Sequence, residues 1–192
     1  MIIHLNGWPG AGKRAIGELL ARKLGARFIH NHLLHDVAIV CAGFDSPDRW
    51  AVYDQVRKAA YQGLRKRPAD EWFVLTNALC KTSSREVDAW GHVVRLALER
   101  NVPLLPVVLE LDGSENIRRV QSAERVGKKM SNPHALRECF AEHTLQYPDV
   151  PETFVLDVTS LEADEAAERL LTHIKLVEHT LTPATLDHLL FR

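Results

Sequence analysis

The chain has 192 residues, 46% of them hydrophobic and 26% charged, with 24 Lys and Arg against 25 Asp and Glu for a formal net charge of −1. That length suits one domain, residues 1–192, with a proper core, and the even charge excludes the basic excess expected of a nucleic-acid or membrane-surface binder. The cysteines, Cys41, Cys80 and Cys139, are 3 in number and far apart, so no metal ligand set is expected, and the absence of a leader or a membrane-length run points to a cytoplasmic protein.

The first apolar run is Ile2, Ile3, His4 and Leu5, which reads as a strand. Gly7-Trp8-Pro9-Gly10-Ala11-Gly12-Lys13 follows, and then Ile16, Leu19, Leu20 and Leu24 share one helical face. Strand, glycine loop and helix in that order form a phosphate-binding loop of the Walker A kind. Glycines let backbone N–H groups turn inward around a phosphate, the helix start adds a positive dipole end, and Lys13 reaches the terminal phosphates. The usual Ser or Thr after the Lys, whose hydroxyl binds Mg²⁺, is replaced by Arg14 and then Ala15. Mg²⁺ is therefore expected to be held through water and phosphate oxygens, with Arg14 either at the phosphate site or in solvent.

Gly25 caps that helix and residues 26–29 make a second strand ending at His30-Asn31-His32. Ligands of doubly wound sheets sit at the carboxyl ends of strands, so these side chains should lie beside the glycine loop. Helices are expected from about 33 to 42 and, capped by Ser46 with Pro47 in its first turn, from 48 to 67. Together they form a helical insertion over 33–67, in which Trp50, Tyr53, Val56, Ala60 and Leu64 keep a packing stripe. Trp72, Phe73, Val74 and Leu75 with Thr76 read as a third strand, and Ser83 with Glu86 as a capping box for a helix to Arg100. A fourth strand spans about 104–111. Pro106 within it lacks a ladder N–H and should stand at its first position or against an unpaired side. Ser114 opens a helix carrying Arg118, Arg119 and Arg125 up to Gly127; a further helix covers about 134–147. Residues 154–157 make a fifth strand, Thr159 and Glu162 a second capping box, and Ala166, Leu170, Leu171 and Ile174 the stripe of the last helix. Alternating apolar strands and helices imply an α/β three-layer sandwich around a five-stranded parallel sheet.

A phosphate loop, a helical insertion and a basic segment about Arg125 occur in the order found in small P-loop kinases of the nucleoside-monophosphate-kinase type, which include adenylate, shikimate and gluconate kinases. The chain resembles these from about residue 2 to 174. The loop with Pro9 looks most like adenylate kinase. Asn77-Ala78-Leu79-Cys80-Lys81 and Arg125-Val126-Gly127-Lys128-Lys129-Met130 look more like gluconate kinase, whose lid carries Arg-x-Gly-His. Small antibiotic phosphotransferases fit nearly as well. The chain departs from these patterns where Ala15 replaces a Thr of adenylate kinases, where Thr76 replaces an acid ending their third strand, and where His30 and His32 stand at the acids of shikimate-type kinases.

The resemblance implies transfer of the γ-phosphate of ATP, with Mg²⁺, to a small-molecule acceptor, by a monomer or homodimer with no nucleic-acid or membrane partner. Gly7, Pro9, Gly10, Ala11, Gly12, Lys13, Arg14 and Ala15 would hold the nucleotide and Arg119 would stack on its base. Arg125 is the expected lid cation over 125–133, followed by Lys128 and Lys129, because charge spread over the phosphoryl oxygens needs neutralising. His32, His35 and Arg49 would line the acceptor pocket. Asp36, four residues after His32, is the candidate base, although a carboxylate in a first helical turn serves the dipole equally well. Asp157 ends a strand as a Walker B acid does, yet its place on the last strand suits a turn. Two other classes compete: a nucleotide-binding regulator, motivated by Arg14, Ala15 and Thr76, and a GTPase or motor ATPase, disfavoured by the lack of an Asn-Lys-x-Asp motif.

Overall fold

The computed structural model describes residues 1–122, 132–145, 148 and 152–183. Strands β1 (Ile2–Gly7), β2 (Arg27–His30), β3 (Phe73–Thr76), β4 (Leu104–Glu110) and β5 (Phe154–Asp157) run parallel in the order β2-β3-β1-β4-β5. The described helices are α1 (Lys13–Leu24), α2 (Asn31–Ala42), α3 (Arg49–Arg65), α4 (Ser84–Arg100), α5 (Gly113–Val120), α6 (Pro133–Glu142) and α7 (Ala163–Val177). This is the expected parallel α/β sandwich. Its central strand, β1, carries the glycine loop at its carboxyl end between β3 and β4.

Side chains alternate along β1, so each face of the sheet has its own core. Ile3 and Leu5 join Ile16, Leu20 and Ala21 of α1 and Ala166, Ala167, Leu170 and Ile174 of α7 on one face. Ile2 joins Phe73 and Leu75 of β3, Tyr61 of α3 and Trp90, Val93, Val94 and Ala97 of α4 on the other. Each fully buried Leu or Ile contributes about 2 kcal/mol relative to an exposed one, which is why the strands are apolar on both sides. A smaller cluster of Leu34, Ala38 and Tyr53 closes α2 onto α3.

Arg100, at the end of α4, is 7% exposed and lies over the Phe73 ring, 4.4 Å from its centroid. Its guanidinium donates to the carbonyls of Leu64 (2.6 Å), Arg67 (3.0 Å), Pro68 (2.7 Å) and Glu71 (3.1 Å). A long cation thereby gathers the carbonyls where α3 ends and the chain turns into β3, of which those of Leu64 and Pro68 also accept the N–H groups of Arg67 and Glu71.

Several local expectations fail where a side chain finds a better partner. α2 begins at Asn31, immediately after β2, and α3 ends at Arg65. Ser83 makes no capping bond, and the Glu86 carboxylate instead accepts the N–H of Cys80 at 2.6 Å. Thr159 donates its hydroxyl to Asp157 (2.6 Å) and accepts the N–H of Asp112 (2.9 Å), so α7 starts at Ala163 without that box. Ser46 likewise bonds the N–H of Asp48, which takes the N-cap position of α3. Asp112 rather than Ser114 caps α5, and that helix ends at Val120, short of the expected Gly127. Pro106 stands opposite His4 in the β1 ladder and just before the β5 ladder opens at Val107, the unpaired position its missing N–H requires.

Candidate functional site

The turn between β1 and α1 is shaped by backbone that only glycine tolerates well. Gly10 has φ +100°, and a Cβ there would come 2.1 Å from the Asn116 amide nitrogen. Gly12, the N-cap of α1, has φ +80°. With no side-chain cap and no acid in its first turn, α1 leaves its leading N–H groups and positive dipole end to whatever anion enters. The Lys13 ammonium donates to the carbonyls of Gly7 (2.5 Å) and Trp8 (2.9 Å), folded back along the loop whose concavity it would share with a phosphate.

Asn116 holds this turn from outside. It is fully buried, and its amide donates to Pro9 O at 2.7 Å, so α5 clasps the loop across 107 residues of sequence. Nothing in the spacing of α5 marks this residue as part of the site.

The loop opens on a cleft of about 500 Å³ lined by Lys13, Arg14, Ala15, His30, Asn31, His32, His35, Thr76, Asn77 and Arg119 among others. Pro9, Gly10 and Gly12 also reach it, whereas Gly7 and Ala11 are buried beneath. No carboxylate belongs to the described lining, whose charged side chains are Lys13, Arg14 and Arg119. His32 is exposed at its rim. His35 stacks on Tyr53 with ring centroids 4.3 Å apart, and burial, with the nearby His32 and Arg49, depresses its pKa to about 4. It is thus neutral at pH 7 and serves as a hydrogen-bonding group. The Tyr53 hydroxyl donates to Asn31 Oδ1 at 2.7 Å, and the N–H of Asn31 donates to Thr76 Oγ1 at 3.4 Å, so α3 and β3 both fix the start of α2.

The structure does not bring the remaining acceptor residues into this cleft. Asp36 lies on the exposed side of α2, outside the lining. Arg49 donates to Phe44 O at 2.6 Å and lies over the rings of Phe44 and Trp50, which ties it to the α2–α3 turn. Arg119 does line the cleft, but its guanidinium is already engaged with Glu115 (2.7 Å) and with the carbonyls of Val158 and Thr159 (2.9 Å each). Arg125, Lys128 and Lys129 lie outside the described residues. Asp157 accepts the N–H of Thr159 at 2.8 Å and so serves a turn.

Sequence reasoning passed over the residues that brace the cleft from below. His4 and Asn6 of β1 are 1% and 2% exposed, in a strand otherwise apolar. His4 Nε2 and Asn77 Oδ1 are 3.0 Å apart, while Asn6 donates to Leu79 O (3.1 Å) and accepts its N–H (2.7 Å). Asn77 directly follows β3, so the strand-end rule that singled out His30 and His32 applied to it equally.

A triphosphate fits the glycine cradle, since α1 starts with no side-chain cap and no acid in its first turn and Lys13 and Arg14 line the cleft beside it. Direct ligation of Mg²⁺ by the loop does not fit, because neither Arg14 nor Ala15 carries a hydroxyl and the described residues include no cluster of three metal-binding side chains. No described helix is long and apolar enough to cross a membrane.

No family model matches the chain, and no curated protein matches it in sequence. Solved structures do match in shape. A candidate kinase from Chloroflexus aurantiacus superposes with a TM-score of 0.67 at 15% identity, covering 91% of this chain and 96% of its own. A gluconokinase from Sinorhizobium meliloti gives 0.59 at 22% identity, with coverage of 93% and 94%. A shikimate kinase from Acinetobacter baumannii gives 0.56 at 17% identity, with 93% of each chain covered. Identity this low speaks to architecture, and the architecture is that of the small P-loop kinases of the shikimate and gluconate type.

Proposed function

We propose that the chain binds ATP through the glycine loop and passes its γ-phosphate to a hydroxyl or phosphate oxygen of a small metabolite. One observation carries this reading: an uncapped helix start with Lys13 folded onto the loop carbonyls opens into a cleft whose described lining is cationic and free of carboxylates. Backbone N–H groups and Lys13 bind the phosphates and neutralise charge that builds on the equatorial oxygens during transfer. His32 and the neutral His35 offer hydrogen bonds to the acceptor, and Arg14 adds positive charge at the mouth. Bound ATP would supply the phosphoryl group.

Incubation with γ-labelled ATP and a panel of hydroxylated and phosphorylated metabolites tests the reading. Label is expected on at least one acceptor, and Lys13→Ala abolishes both the transfer and phosphate-dependent nucleotide binding. Unchanged ATP affinity in Lys13→Ala contradicts the assignment of the loop. A regulator that binds without transferring is the second reading, favoured by the lack, among the described residues, of a lining carboxylate to take the acceptor proton. Tight ATP binding with no labelled product from any member of the panel selects it.

A further inference from the structure

A polar pair inside an apolar sheet needs a reason, because each buried hydrogen-bonding group must be satisfied or it destabilises the fold. His4 lies in β1 opposite Leu75 of β3, on the face covered by α4, with the Trp90 ring centroid 5.4 Å away. A Leu in that place would pack at least as well. What His4 adds is the bond to Asn77, whose backbone N–H already donates to Leu5 O at 3.1 Å and so continues the sheet one step beyond β3.

The chemistry of His4 sets which way round this bond runs. Its Nδ1 is sealed from water with no partner among the described residues. A bare lone pair there costs less than an orphaned N–H, so the ring proton belongs on Nε2, which donates to Asn77 Oδ1. Burial keeps the ring neutral. Asn77 therefore has its oxygen occupied from below and its NH₂ left over. That nitrogen has no partner among the described residues and is not sealed, and Asn77 lines the cleft.

Position gives the leftover donor a target. β3 stands between β2, whose end carries the histidine wall, and β1, which carries the glycine loop. A phosphoryl group travelling from loop to wall passes the end of β3. We infer that the Asn77 amide, held by His4 as a positioning residue, is a donor to the γ-phosphoryl oxygens of the bound nucleotide. This deepens the nucleotide-binding reading above and rests on it. It places a neutral donor on the transferring group from the β3 side, where a loop hydroxyl is lacking at Arg14 and Ala15.

Titration of the full chain with ADP and with the non-hydrolysable analogue AMP-PNP tests the inference without any acceptor. Asn77→Ala is expected to weaken AMP-PNP by about tenfold and leave ADP unchanged, since only the former carries the γ-group. Asn77→Asp keeps the oxygen that meets His4 but turns the donor into an anion, and should lose more AMP-PNP affinity than Asn77→Ala with ADP still bound. His4→Leu should lower the AMP-PNP to ADP affinity ratio in the same direction. His4→Gln, whose amide can still donate to Oδ1, should restore it, and His4→Leu added to Asn77→Ala should change the ratio no further. Intact ADP binding in each variant certifies its fold. A ratio unaltered in both Asn77 variants, or equal losses for both nucleotides, overturns the role of Asn77 while leaving the nucleotide site standing; an unaltered ratio in His4→Leu overturns the role of His4. Failure of the unmodified chain to bind either nucleotide overturns the nucleotide reading and this one with it.

Discussion

The two faces of the sheet share the same strands and differ in what they are made of. Toward α1 and α7 the strands present Ile3, Leu5, Val74, Leu105, Val107, Leu109 and Leu156, all buried and all apolar. Toward α3 and α4 the central strand presents Ile2 and then His4 and Asn6, whose side chains bond the segment at 77–79. Apolar contacts are non-directional, so the first face can hold helices firmly without dictating where any one atom sits. Buried hydrogen bonds are directional, and the second face uses them to set the loop that follows β3. Both faces bury an apolar core, and the second adds directional bonds that position a loop.

The largest expected effect probes the apolar side. Leu20 of α1 is fully buried, and Leu20→Ala should lower unfolding stability by about 3 kcal/mol in urea titration while leaving the relative affinities for AMP-PNP and ADP alone. A shifted ratio would erase the division of labour between the faces. Acid should then act on the polar side. Burial holds the His4 pKa at about 4 against an ordinary 6.5, the Lys13 charge adding to this and the Asn77 bond opposing it. The unfolded chain takes up the proton first as pH falls, so this part of the stability is complete above pH 6.5 and declines by about 3 kcal/mol toward pH 4. Chemical denaturation across that window should show the slope, reduced in His4→Leu; an identical slope in the variant would assign the loss to other groups. His35, depressed to the same range, acts in the same direction.

Gly10 sharpens the comparison from the loop side. Gly10→Ala meets both a φ of +100° and the Asn116 amide, and is expected to cost about 2 kcal/mol in thermal unfolding together with reduced nucleotide affinity. If affinity held while stability fell, the clasp by α5 would be structural only. The smallest effect belongs to Asp112, whose carboxylate caps α5 by accepting the N–H groups of Ser114 (2.9 Å) and Glu115 (3.2 Å). Asp112→Ala should cost about 1 kcal/mol with no change in nucleotide binding, measured by the same two assays. A comparable drop in affinity would mean that the end of α5 which carries the cap, and not only Asn116, is coupled to the loop.

Much of the fold was legible because the signals are local. The spacing of Ile16, Leu20 and Leu24 announces the inner face of α1, and the apolar runs at 73–76, 104–110 and 154–157 announce strands covered on both sides. Capping was the weak point: Ser83 makes no capping bond while its partner Glu86 holds Cys80, and Thr159 and Ser46 are tied to other partners. For the site, the strand-end argument found His30, Asn31 and His32, while the four-residue spacing from His32 drew Asp36, and a place at the start of the insertion drew Arg49, into a pocket they do not line. Periodicity reports which face of a helix a residue shares, and it is silent on whether that face turns toward a ligand.

By itself the sequence determined the glycine loop, the count of strands and their parallel character, because backbone freedom, dipole and hydrophobic period all act within a few residues of one another. Only the tertiary structure decided the strand order, the clasp of Asn116 on the loop and the bond from His4 to Asn77. Those contacts join residues 107 and 73 positions apart, and their energy comes from burying polar groups against chosen partners, a choice that exists only once the sheet has brought the segments together.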